Sequence, residues 1–164
     1  MIQTSLLPAQ AAHRPLIANL IQLYLYDMTE FMPFPVGPDG RFEYGFLDRF
    51  WRFPYLILVD GEIAGFALVV DQCPLTGRSP CFFMAEFFVL KAYRRHGVGR
   101  AALEQVLAAH PGPWHIAVPL ANRTGQGFWA KALGNACTTP RDIHFDGDDW
   151  TLFAFHALSS PTAL

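Results

Sequence analysis

The sequence predicts a mixed α/β domain built around one sheet, and two observations carry that prediction. The β-rich runs Tyr55–Val59 and Ile63–Val70 are joined by Asp60-Gly61-Glu62. An Asp-Gly turn between two such runs reads as an antiparallel hairpin. Downstream, strand-like runs alternate with helical ones: Cys81–Leu90, Arg100–His110, Trp114–Leu120, Thr124–Leu133 and Trp150–Ala157. A hairpin followed by strand–helix–strand–helix–strand packs as helices against a single sheet.

The elements follow in order. Ile2–Leu7 is expected as a short first strand. From Ala11 to Met28 the apolar residues Leu16, Ile17, Leu20, Ile21, Tyr24 and Leu25 recur at offsets of three and four, which is a helical stripe. Pro33, Pro35, Gly37, Pro38 and Gly40 break it. A second short helix is expected over Phe42–Trp51. After the hairpin, Pro74–Pro80 is a turn region, and Gly97-Val98-Gly99 leads into a helix that Pro111-Gly112-Pro113 ends.

Composition bounds the function. The chain has 164 residues, of which 52 % are hydrophobic, 15 % aromatic and 16 % charged. An ordinary soluble domain carries about 25 % charged residues. A chain of this length buries about 70 % of its unfolded surface, enough for a single core over residues 1–164. A net charge of −2 does not suit a protein that neutralises many phosphates, so no nucleic-acid partner is expected. Neither Pro15–Tyr26 nor Leu56–Val70 approaches the ~20 apolar residues of a membrane span, and Met1–Gln10 lacks a signal pattern. Cys73, Cys81 and Cys137 are scattered and odd in number, which fits a reducing cytoplasm and excludes a metal framework. His13, His110, His115, His144 and His156 show no metal spacing either. Few charges and many aromatics leave room for an apolar ligand groove or a homodimer interface.

The segment that carries chemistry is Glu86-Phe-Phe-Val-Leu-Lys-Ala-Tyr-Arg-Arg-His-Gly-Val-Gly-Arg100. It is a strand that turns through a basic, glycine-containing loop into a helix. A helix start offers unpaired N–H groups and the positive end of the dipole. Such an arrangement suits a pyrophosphate. It is neither a Walker motif nor GxGxxG.

The loop resembles the acyl-CoA-binding signature of the GNAT acetyltransferase superfamily, Arg/Gln-x-x-Gly-x-Gly/Ala. Here it reads Arg94-Arg95-His96-Gly97-Val98-Gly99, with Val89 five residues ahead. A second stretch, Asn122-Arg-Thr-Gly-Gln-Gly-Phe128-Trp129, is similar to the family's Asn-x-x-Ala-x-x-Phe-Tyr, with Gly125 in the alanine place. The resemblance covers roughly Ala11–Ala157. It implies a mainly antiparallel sheet of six to seven strands flanked by helices, splayed between the two central strands after Val89. It further implies acetyl-CoA as co-substrate, no metal, and transfer to a small-molecule or peptide amine.

Roles carry over residue by residue from that resemblance. Backbone groups of Phe88, Val89 and Leu90 would hold the pantetheine arm, and the Val89 N–H would polarise the thioester carbonyl. The N–H groups of Arg94, Arg95, His96, Gly97, Val98 and Gly99 would hold the pyrophosphate, with Arg100 close by. Asn122 would bond the pantetheine, or cap its helix, or both. Phe128 would pack near the thiol. Trp129 stands where the family often has a tyrosine that protonates the leaving thiolate; indole has no such proton, so either the thiolate leaves unprotonated or Tyr93 or a water supplies the proton.

Glu86, on a period-2 strand, is expected to share a face with Phe82, Met84, Phe88 and Leu90. A carboxylate among such neighbours is paired, protonated or at a wet cleft, and one with a raised pKa suits a general base. A Glu paired to an Arg or to backbone remains the alternative. The segment Leu16–Trp51, with Tyr24, Tyr26, Asp27, Glu30, Phe31, Phe34, Glu43, Tyr44 and Trp51, is the expected acceptor side. A degenerate domain that binds acyl-CoA as a sensor or a partner-binding module is the competing reading.

Overall fold

A computed structural model describes residues 1–137 and 139–159. Seven strands form one sheet: β1 (Thr4–Pro8), β2 (Phe53–Val59), β3 (Glu62–Val70), β4 (Phe82–Val89), β5 (Gly112–Pro119), β6 (Arg141–Phe145) and β7 (Asp148–Ala157). Their order across the sheet is β1-β2-β3-β4-β5-β7-β6. Every neighbouring pair is antiparallel except β4 and β5. The helices are α1 (Arg14–Met28), α2 (Leu47–Phe50), α3 (Val98–Ala109) and α4 (Arg123–Leu133).

The Asp60-Gly61 hairpin forms as expected, with positive φ at both turn residues (50° and 86°), the geometry that matches the twist of the flanking strands. A second Asp-Gly turn, Asp146-Gly147, repeats it between β6 and β7 with φ 52° and 84°. Strand β6 has no counterpart among the expected elements. It is an edge strand exposed along most of its length, so it lacks the apolar alternation that marks a strand.

The expected helix over Phe42–Trp51 shrinks to α2. The Phe42 backbone is already committed: its N–H donates to Gln22 Oε1 and its carbonyl accepts from Gln22 Nε2, both at 2.9 Å. Phe42 also bridges to Val36. Bonded to the Gln22 side chain of α1 and paired with Val36, Phe42 is held in an extended bridge, and the helix begins only at Leu47.

The sheet separates two packed layers. On one face Ile17, Leu20, Ile21 and Leu25 of α1 and Phe50 of α2 cover Phe66, Leu68 and Phe88. On the other face Leu103 and Val106 of α3 and Trp129 and Leu133 of α4 cover Ala67, Val69, Trp114 and Phe153. No helix among the described residues is long and apolar enough to cross a membrane.

Strand β4 carries the two irregularities that matter. Leu68 faces Glu86 while Val69 faces Met84, so Ala85 is an extra residue, a β-bulge. Phe83 and Ala85 therefore point to the α1 layer, and so do Glu86 and Phe88, whereas Phe82, Met84 and Phe87 point to the α3–α4 layer. This corrects the strict period-2 expectation: Glu86 shares its face with Phe88 and Leu90 but not with Phe82 or Met84. The parallel pairing of β4 with β5 is limited to Phe82↔Trp114 and Phe83↔His115. The splay between the central strands thus opens already from Met84, not after Val89, and it starts where the bulge bends the strand.

Candidate active site

Beyond Phe83 one edge of β4 faces the gap. Leu90 N–H donates to Ala64 O of the β3 side at 2.8 Å. Successive main-chain groups of a strand point to opposite edges, so Phe88 and Leu90 serve β3 while Phe87 and Val89 present their N–H groups to the gap. Of Phe88, Val89 and Leu90, Val89 alone turns its N–H to the gap. Phe87 was missed, and the signal that finds it is which neighbours bond β3. The Val89 carbonyl is shared, since Arg94 Nε donates to it at 2.7 Å.

At the end of that strand the chain turns through Lys91–Tyr93 into the loop before α3. Arg95 and Gly97 both have positive φ, 66° and 79°. Gly97 is the N-cap of α3 and no side chain caps this helix. The first helical bond runs from Ala101 N–H to Gly97 O. Among the described residues the N–H groups of Arg95, His96, Gly97, Val98, Gly99 and Arg100 have no protein acceptor, whereas the Arg94 N–H, expected with them, is already donated to Lys91 O at 3.2 Å. Left-handed residues alternating with right-handed ones aim such N–H groups into one concavity, the geometry of an anion nest, here at the positive end of a helix dipole.

The two motif glycines have different reasons. A Cβ at Gly97 would meet nothing within 4 Å, so its positive φ demands glycine. A Cβ at Gly99 would lie 3.2 Å from Phe128 Cε2, so close packing of α4 demands it. Arg100 pairs with Glu104 at 2.9 Å on the exposed side of α3, and Arg95 and His96 are exposed.

Helix α4 closes the gap from the side. Asn122 caps it, with Oδ1 accepting from Gly125 N–H at 2.8 Å, so the capping role is realised. A Cβ at Gly125 would sit 2.6 Å from Asn122 Nδ2, which explains glycine there. Phe87 stacks on Phe128 with centroids 6.1 Å apart and meets Trp129 edge-on at 5.3 Å. The Trp129 ring is buried, but its N–H is not sealed off and has no partner among the described residues. Tyr93 packs instead against the small core cluster that contains Ile57, Val59, Val89 and Val98.

Glu86 lies across β4 from this cluster, 9 % exposed. It pairs with phenols, not with the Arg or backbone of the alternative expectation: Tyr44 donates to its Oε1 at 2.8 Å, and Tyr24 is a second phenolic partner. Burial raises its pKa to about 7, against the lowering effect of the two hydrogen bonds. The same burial, with the carboxylate beside them, pushes both tyrosines well above 10, so they remain donors at neutral pH. Tyr24 is boxed by Phe66 and Phe88. The other residues of Leu16–Trp51 do not converge here: Tyr26, Glu30 and Glu43 are exposed, and Trp51 lies under Arg14. No group of three or more His, Cys, Asp or Glu among the described residues is placed to hold a metal.

The sequence model of the acetyltransferase (GNAT) family matches residues 21–134, which include the nest, the gap and Glu86. The chain belongs to this family. Solved structures agree on the fold of this GNAT protein. An acetyltransferase from Thermus thermophilus superposes with a TM-score of 0.64 at 17 % identity, covering 94 % of this chain and 97 % of its own. Ard1 from Thermoplasma volcanium gives 0.64 at 17 %, covering 95 % and 99 %. The ribosomal-protein-S18-alanine N-acetyltransferase of Escherichia coli gives 0.57 at 17 %, covering 99 % of both chains. No curated protein matches the GNAT chain in sequence. Identities this low establish architecture, a seven-stranded GNAT sheet flanked by helices, and leave the acceptor to the site itself.

Proposed function

We propose that this GNAT domain is an N-acetyltransferase that moves the acetyl group of acetyl-CoA to a primary amine of a small molecule or peptide by direct attack. The observation that carries this reading is the run of unpaired N–H groups from Arg95 to Arg100 beside the open edge of β4. A pyrophosphate fits that nest in charge and shape, and an amide-bearing arm can add to the strand edge at Val89 and Phe87 as an extra strand does. Acetyl-CoA supplies an acetyl carbon activated as a thioester.

The chain's own residues do the rest. The Val89 N–H, on the gap side of the strand, acts as the oxyanion donor. Glu86 takes a proton from the incoming ammonium, directly or through water, and its pKa near 7 matches that task. Tyr24 and Tyr44 keep the carboxylate oriented. Trp129 offers a hydrogen bond and no titratable proton, so the thiolate departs without an acid at this position; a thiol pKa near ~8.5 makes that feasible. Cys73, Cys81 and Cys137 form no disulfide among the described residues, which suits a reducing cytoplasm. The missing acid also favours the second reading, a domain that binds acyl-CoA without turning it over.

Titration with acetyl-CoA, followed by melting temperature, and thiol release against a panel of polyamines, amino acids, aminoglycosides and peptides test both. Acetyl-CoA raises the melting temperature under either reading, and amine-dependent thiol release occurs under the first alone. No shift at millimolar acetyl-CoA overturns both.

A further inference from the structure

Arg94 opens the signature loop, yet its guanidinium turns away from the nest. Its Nε bonds the Val89 carbonyl at 2.7 Å, its Nη2 bonds Asp27 Oδ2, and the group lies 5.5 Å over the Phe88 ring. Lys91 Nζ reaches the other Asp27 oxygen at 3.3 Å. The Asp27 carboxylate is only 20 % exposed. It occupies the last turn of α1, where no basic residue accompanies it and where an acid opposes the helix dipole. Its position is therefore not explained by the helix. What it does is pin both ends of the turn Lys91–Arg94, the segment immediately before the left-handed Arg95.

We infer that Asp27 is a positioning residue for the donor site: through Arg94 it clamps the nest loop to α1, so that the N–H groups of Arg95–Arg100 are aimed before ligand arrives. The inference rests on the acyl-CoA reading of that loop. A nest whose backbone is held in left-handed conformations gains affinity from such preorganisation. Without the clamp, Arg95 loses the support that keeps it in a sparsely populated region. The clamp also sits one helical turn from Tyr24, so the helix that orients Glu86 is the helix that holds the loop.

The test is binding of two thioesters by calorimetric titration, acetyl-CoA and S-acetylpantetheine, which keeps the arm and lacks the pyrophosphate. Asp27→Asn weakens acetyl-CoA at least fivefold and leaves S-acetylpantetheine within twofold of wild type. Arg94→Met gives the same split from the other side of the clamp, and keeps the test available if Asp27→Asn fails to fold. In an Arg94→Met background the Asp27→Asn effect shrinks to less than twofold. Unchanged acetyl-CoA affinity in both variants, or an equal loss for both thioesters, overturns the inference. Wild-type protein that binds S-acetylpantetheine as tightly as acetyl-CoA overturns the nest reading beneath it.

Discussion

The two halves of the proposed site are built in opposite ways. The donor half is main chain: a nest of N–H groups and a strand edge within the single stretch Phe87–Arg100, shaped by two glycines and by the bulge just before it. The acceptor half is side chain: Glu86, Tyr24 and Tyr44 come from β4, α1 and the loop before α2, and meet only because the sheet carries α1 on one face. Recognition by backbone needs local conformation and so appears as a contiguous motif. Recognition by side chains needs the whole fold and leaves no local pattern. One strand serves both, since Val89 turns its edge to the gap while Glu86 turns its side chain to α1.

The comparison breaks hardest at Glu86. Glu86→Gln lowers kcat by a hundredfold or more, the usual scale of a lost general base, and leaves acetyl-CoA affinity within twofold. Wild-type kcat rises with pH through about 7, because only the ionised carboxylate accepts the proton, and that limb is absent from Glu86→Gln. Stability runs the other way. The folded chain holds this proton after the unfolded chain, with its ordinary carboxyl at 4.5, has released it. Folding stability therefore falls as pH rises from about 4.5 to about 7, by on the order of 3 kcal/mol, and is flat above. Denaturant melts across that range show the slope in wild type and its loss in Glu86→Gln; a pH-independent kcat rules out Glu86 as the base.

Next in size is the donor half. Gly97→Val leaves room for its side chain but not for its backbone angle, and a β-branched residue resists φ near +79°. The nest is then misaimed, and acetyl-CoA Kd rises tenfold or more, about 1.4 kcal/mol, while the pH profile set by Glu86 keeps its midpoint. Equal affinity in the folded variant removes the nest from the binding site.

The smallest effect is expected where the halves meet. Trp129→Phe keeps the contacts with Phe87 and Phe128 and removes the one hydrogen bond the indole would offer the leaving sulfur, about 1 kcal/mol, so the single-turnover rate falls no more than about fivefold. A thousandfold collapse would make the indole N–H essential to leaving-group departure.

The same contrast explains what the sequence made legible. The Asp60-Gly61 hairpin, α1 and the loop before α3 are local objects, each written in neighbouring residues, and each forms where its pattern lies. Glu86 stood out as an acid in an apolar strand, but its partners could not be picked from nine candidates in Leu16–Trp51. Tyr26 is as aromatic as Tyr24, and only helix phase and packing separate them. The bulge at Ala85 defeats a period-2 reading, because no residue type announces an extra residue in a strand. Strand β6 escaped because an exposed edge strand need not be apolar, although Asp146-Gly147 marks its turn. The role of Asp27 was hidden by distance, 67 residues from Arg94.

Strand β4 is at once the most interior strand of the sheet and, beyond Phe83, an edge. Soluble proteins place such edges at the rim, where they can be blunted by charge or covered. Here Phe87, Phe128 and Trp129 wall it instead, so that a flexible chain of amides can reach it and a second folded sheet cannot. The edge of β4 beyond Phe83 can take a further strand, and that strand need not be protein. A ligand that pairs along Phe87 and Val89 would finish the sheet, which makes binding the last step of folding at this place. A loose substrate arm would then become, for the duration of a turnover, a piece of secondary structure.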